Sequence, residues 1–261
     1  VSYGDVARYL RTKDPDAFAR GLEGLIIERV TLSEAGPMGV TVPRALVDRD
    51  TSKRMAAWEK NIRTAALEQS GEEVDPALWL QRVAGVSLAE LRSWMEHHTE
   101  VELIQDRLVR YEALTSARVE VSLILLEDEA RARDVRTEAE SGDFAALAKN
   151  NSIHTTSAEG GRIPGALLPM DVSDPAVRDA LFRARKGDVL GPFSTRSGEK
   201  TYYEIYKVEE VLLPRKGSYA ELSKEVARDL ETRPVAVAEY ERWRMRVLVR
   251  HGFLVAEGVS E

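Results

Sequence analysis

Between Gly142 and Phe193, glycine, proline and aspartate recur so closely that only short elements joined by sharp turns can form there. Gly142-Asp143 sets a helix-starting carboxylate ahead of Phe144, Leu147 and Ala148, whose i, i+3, i+4 spacing is that of one buried helical stripe. Ser152 falls where that helix should stop and reads as a cap rather than a catalytic hydroxyl. Gly160-Gly161 and Pro164-Gly165 permit backbone angles closed to most residues, which makes this stretch a turning loop. Asp174-Pro175 is an N-cap with proline at the first helical position, and Val177, Leu181 and Phe182 supply the buried face of a second helix. Lys186-Gly187 and Gly191-Pro192 then lead into a hairpin over 188–211.

The sequence on either side has a different grain. A short helix over 5–10 precedes a longer one opened by Pro15-Asp16, with Phe18, Leu22, Leu25, Ile26 and Val30 along one side and Gly36-Pro37 at its end. Leu46, Met55, Trp58, Ile62 and Ala66 form the inward face of a third helix, stopped by Gly71. Asp75-Pro76 caps a short helix bearing Leu78, Leu80 and Val83, and Ser87 with Glu90 forms a capping box for the longest one, whose stripe includes Leu91, Trp94, Val101, Ile104, Leu108 and Tyr111. His97-His98 point about 100° apart on that helix with no third ligand nearby, which reads as a solvated face rather than a metal site. Beyond the 212–217 linker, Tyr219, Leu222, Val226 and Leu230 make one stripe, and Ala236, Tyr240, Trp243 and Val247 another.

Composition narrows the function classes. With 43% hydrophobic and 31% charged residues the chain is globular rather than disordered. A net charge of −7, with basic residues interleaved among acids, argues against nucleic acid as a partner. The absence of cysteine excludes thiolate metal sites and cysteine nucleophiles, and fits an exported protein in an oxidising space. No apolar run is long enough to span a bilayer, so a membrane tether is expected only outside these residues, and the chain is expected to be a mature or trimmed form. No G-x-S-x-G, H-E-x-x-H or Walker pattern is present.

Taken in order, Ile124-Leu125, Gly142-Asp143-Phe144 with Leu147-Ala148 and Ser152, the Gly160-Gly161 pair, Lys186-Gly187 and Gly191-Pro192 resemble the parvulin-type (PpiC) peptidyl-prolyl isomerase domains. The likeness covers roughly 119–211. The flanking helices, with Ser33-Glu34-Ala35, Gly39-Val40-Thr41-Val42 and Gly85-Val86-Ser87 before Leu91, resemble the N-terminal chaperone domain of SurA- and PrsA-type proteins. The resemblance implies an α+β fold: a helical chaperone-like domain of 1–116 plus 217–261, with an inserted parvulin-like domain at 117–212 built as a small antiparallel-containing sheet with flanking helices. The C-terminal helices are expected to fold onto 16–114 and to leave the inserted domain alone. A domain assembled from distant segments also allows a swapped homodimer.

Carried over position by position, the resemblance puts a proline pocket on Ile163, on Val172 or Ser173, and on Val177, and a substrate-binding set of Leu123, Ile163, Val172, Val177 and Phe182. The first-strand histidine position reads Leu123. The last-strand one reads Glu204 if Lys207-Val208 fixes the hairpin register, or Lys200 if Ser197-Gly198 does. The family's Cys or Asp position reads His154, either facing the substrate amide or bonded locally in its loop. The implied catalytic set is His154, Ser197 and Glu204. Turning an X-Pro bond breaks no covalent link, so no cofactor or metal is implied; the barrier of ~18–20 kcal/mol comes from lost amide resonance. The expected partners are unfolded or proline-containing polypeptides, the expected location is the periplasm or another exported compartment, and the expected isomerase activity is weak. The alternative is a non-catalytic peptide-binding or assembly module.

Overall fold

The computed structural model describes residues 3–253. The chain divides into two compact units, Val1–Leu108 and Val109–Glu261.

The first unit holds α1 (Tyr3–Lys13), α2 (Pro15–Met38), α3 (Arg44–Ser70), α4 (Pro76–Ala84) and most of α5 (Leu88–Thr115). Its caps follow from the sequence. Asp14 accepts from Ala17 N at 2.9 Å, Asp75 from Ala77 N at 2.8 Å, and Ser87 and Glu90 bond reciprocally. α2 runs past Gly36-Pro37 and turns instead at Gly39, with φ of 65°, because proline in a last turn deletes one bond whereas the left-handed cap needs glycine. Ile27, Val30, Ala35, Val47, Met55, Val101 and Ile104 are buried, and among them Gln105 donates to Thr31 Oγ1 at 3.1 Å. The other half of the expected stripe is not inside: Leu25 is 61% and Trp94 62% exposed, and Leu22, Leu78 and Val83 are also exposed. The buried row on α2 is displaced to Ile27, Val30, Thr31 and Ala35, in the half of the helix nearer Gly39.

The second unit contains β1 (Arg118–Leu126), α6 (Glu129–Ala139), α7 (Phe144–Asn151), α8 (Pro175–Arg183), β2 (Val189–Ser197), β3 (Lys200–Leu212), α9 (Tyr219–Thr232) and α10 (Val237–Arg250). The three strands form an antiparallel sheet in the order β1-β3-β2. Strand alternation gives it two buried faces. Ile124, Leu126 and Ile205 meet Ala132, Val135, Phe144 and Ala148 of α6 and α7, while Val119, Val121 and Val208 meet Val177 and Leu181 of α8.

Segment 161–167 lies along the outer edge of β1 and pairs with it antiparallel: Leu123 N donates to Gly161 O at 2.8 Å, Ile163 N to Val121 O at 3.0 Å, and Val119 exchanges bonds with Leu167 at 2.9 and 2.8 Å. The glycine at 161 is what lets the backbones approach, since a Cβ there would sit 2.5 Å from Leu123 O.

α9 begins at a Ser218–Glu221 capping box. Val226, Trp243 and Val247 are fully buried, and the Tyr111 and Tyr219 rings meet edge-on at 5.6 Å. Arg110 pairs with Asp229 at 2.9 Å and Arg246 with Glu112 at 2.7 Å, which ties both helices to the end of α5. Contrary to expectation, residues 117–212 are not left alone by the C-terminal helices. Arg246 also pairs with Asp171, and Arg242 donates to Pro164 O at 2.9 Å, because α10 carries arginines on the side that faces the loop.

Gly161→Ala should destabilise the chain by more than the ~1–3 kcal/mol of a left-handed non-glycine residue alone. Gly198→Ala, also at positive φ but with open space around its Cβ, should cost only the backbone part. Urea-unfolding midpoints at constant m compare them, and equal losses would contradict the close approach at β1.

Candidate functional site

A cleft of about 270 Å³ opens between the N-terminal end of α8, segment 161–167 and the sheet. Its apolar wall is Leu123, Ile163, Leu167, Val172 and Val177, and its polar wall is Asp171, Ser173, Asp174, Ser194, Thr195, Glu204 and Tyr206. Each placement has a local cause. Asp174 accepts from Ala176 N at 2.7 Å and Val177 N at 3.1 Å, starting α8 so that Val177 and Leu181 face the sheet. In β3 the period of two places Glu204, Tyr206 and Val208 on one face, with Ile205 on the other. β2 reaches the rim after an irregularity between Leu190 and Phe193, where Gly191 packs against Glu204 O, leaving no room for a side chain.

The Tyr206 hydroxyl donates to Glu204 Oε2 at 2.9 Å. Burial raises the Glu204 carboxyl above its usual range; the Tyr206 hydrogen bond opposes this and the Asp174 charge adds to it. Burial, then the Glu204 charge, pushes the Tyr206 phenol well up, so it remains a donor. Asp171 sits deeper. Its side chain is 2% exposed, accepts from Leu168 N at 2.9 Å and is paired with Arg246 and Arg242.

The structure therefore gathers Leu123, Ile163, Val172, Val177 and Glu204 around one cleft. Of the two residues offered by the alternative hairpin registers, Glu204 lines the cleft, whereas Lys200 opens β3 beside the turn and pairs with Glu127 at 3.0 Å. Three expected residues lie outside the lining. Ser197 is an exposed residue at the hairpin tip, paired in register with Lys200. Phe182, one residue past Leu181 on α8, packs into the core beneath the cleft. His154 is held in its own loop, where Thr156 N donates to its Nδ1 at 3.3 Å and the Thr156 hydroxyl lies 2.9 Å from that nitrogen. Burial lowers its pKa, which favours the neutral ring. Ser152 serves as the C-terminal cap of α7 and its hydroxyl accepts from Leu125 N at 3.0 Å. Tyr206 went unforeseen, although the alternation Glu204, Tyr206, Val208 signals it.

Residues 126–210 match the rotamase family described as the PPIC-type PPIASE domain. The foldase protein PrsA of Caldanaerobacter subterraneus subsp. tengcongensis is 26% identical over 194 residues, covering 73% of this chain and 56% of the relative. The foldase protein PrsA of Geobacillus kaustophilus is 26% identical over 182 residues, covering 69% and 59%. The chain thus spans less than two thirds of the length of either relative. Among solved structures, the peptidylprolyl isomerase PrsA of Bacillus anthracis aligns with 90% of this chain and 99% of its own at 16% identity and a TM-score of 0.38. The chain carries a parvulin-type domain. Over most of its length it is similar to PrsA foldases.

The raised carboxyl has a sign that can be measured. In the window above its unfolded pKa the folded chain holds the extra proton, so stability falls as pH rises through it. Glu204→Gln should stabilise the protein at neutral pH and change nothing below about pH 4, where both states are protonated. Thermal unfolding at the two pH values tests this; the same shift at both would contradict it.

Proposed function

We propose that the chain is an exported folding factor that binds unfolded polypeptide and seats a proline side chain in the cleft between α8 and the sheet. The observation that carries this is the meeting of Leu123, Ile163, Val172 and Val177 as an apolar wall opposite Glu204 and Tyr206, inside a domain of the PPIC type. Such a pocket can hold the pyrrolidine ring and exclude water, which is most of what twisting the amide requires. The 1–116 and 217–261 segments act as a discontinuous helical domain around the inserted 117–212, and the exposed Leu22, Leu25, Leu78, Val83 and Trp94 offer apolar surface to clients. The PrsA relatives are named foldases, and the absence of cysteine fits export.

Catalysis is weak in this reading. Leu123 and Glu204 occupy the two strand positions for which the resemblance implies histidines. Glu204, with its raised pKa, is one group in the lining that can present a proton to the prolyl nitrogen as the amide twists. Its raised pKa extends the range in which it carries a proton above that of an ordinary carboxyl. A purely binding role is favoured by the same two residues, since Leu123 offers no hydrogen bond.

A prolyl-limited refolding assay beside an aggregation-suppression assay separates these roles. A loss of ~3 kcal/mol of transition-state preference corresponds to about two orders of magnitude in rate. The expected result is suppression of aggregation with a small acceleration of refolding that grows as pH falls and is flattened by Glu204→Gln. Acceleration as strong as that of a histidine-bearing parvulin, unchanged by Val177→Ala, would overturn the reading.

A further inference from the structure

A second cleft, of about 210 Å³, lies on the other side of Ile163, which lines both. Arg110, Arg118, Arg162 and Arg233 line it, with Glu120 and Glu239. The pairings leave one cation over. Arg162 pairs with Glu120; Arg233 pairs with Asp229 at 2.9 Å and lies 3.5 Å from Glu120; Arg110 pairs with Asp229 at 2.9 Å and lies 3.7 Å from Glu239. Arg118 is 9% exposed, and among the described residues its guanidinium has a single acceptor, the carbonyl of Ala113 at 2.6 Å, with no carboxylate. Arg110 Nε is likewise buried without a hydrogen-bond partner. A buried guanidinium with no carboxylate bonded to it is costly. Burial pulls the Arg118 pKa down, the Arg233, Arg110 and Arg215 charges push the same way, and Asp229 opposes them.

The geometry points to a carboxylate-binding subsite centred on Arg118, which takes an acidic side chain or the C-terminal carboxylate of the polypeptide whose proline lies across Ile163. This rests on the polypeptide-binding reading above. A carboxylate fits better than a phosphate dianion because the excess is one positive charge and the acceptors needed are those of a planar fork.

Two arms test it on the full chain. In the first, ¹⁵N-labelled arginine Nε–H signals are followed as acetate or inorganic phosphate is added at matched ionic strength. Acetate should shift the Arg118 and Arg110 signals saturably, and not in Arg118→Gln. No acetate response, or a stronger one to phosphate, overturns the carboxylate site. In the second arm, labelled proline peptides are compared by fluorescence anisotropy: one with glutamate a few residues from the proline, one with glutamine there, and the glutamine peptide with a free or amidated C-terminus. The wild-type chain should bind a peptide with an added carboxylate roughly tenfold more tightly, less so in high salt. Arg118→Gln should erase the preference while leaving the neutral peptide unchanged. Arg162→Gln, at an exposed position, should weaken the preference even if Arg118→Gln fails to fold. Equal affinities for charged and neutral peptides overturn the proposal. An acetate response with no peptide binding at all overturns the polypeptide reading, and the client as source, while leaving the anion site standing.

Discussion

The short antiparallel ladder between β1 and segment 161–167 is the contact on which the candidate chemistry depends. It holds Ile163 against the sheet edge, so that one side chain becomes a wall of both clefts. Its tolerance is small, because the Gly161 backbone runs where any side chain would strike Leu123 O. A loop fixed by main-chain bonds to a sheet edge is also a rigid mount, which suits a pocket that must prefer one amide geometry over another.

A second constraint fixes the loop from behind. Asp171 is buried and would be destabilising alone, yet it is met by Arg242 and Arg246 of α10, and Arg246 continues to Glu112 at the end of α5. Breaking such a chain at one end strands a buried charge. The C-terminal helices are therefore part of what holds the cleft residues Asp171 and Val172 in place, and they contribute arginines as well as the apolar Val226, Trp243 and Val247.

Much of this was legible in the sequence. Asp143, Asp174, Asp75, and Ser87 with Glu90 announced helix starts, because capping is a local event needing residues only two or three positions apart. The order of glycines marked the turns between the elements of residues 117–212. The residues that were misplaced depend on partners far along the chain. Placing Glu204 in the cleft required the hairpin register, in which Ser197 faces Lys200 across the turn and Phe193 faces Glu204. Phe182 and Leu181 look interchangeable in a stripe, and only the position of the sheet decides which space each fills. Asp171 acquires its role from arginines over 70 positions away. The exposed Leu25 and Trp94 follow the helical period as well as any core residue does, so periodicity could not mark them as surface.

The central claim, that polypeptide enters the Leu123–Glu204 cleft, is tested most directly by backbone amide NMR during titration with a short proline peptide. The account predicts saturable shifts at Leu123, Ile163, Val177 and Thr195, lost in Val177→Arg while the remaining amides keep their positions. Shifts confined to residues outside the cleft, or identical shifts in Val177→Arg, would contradict it.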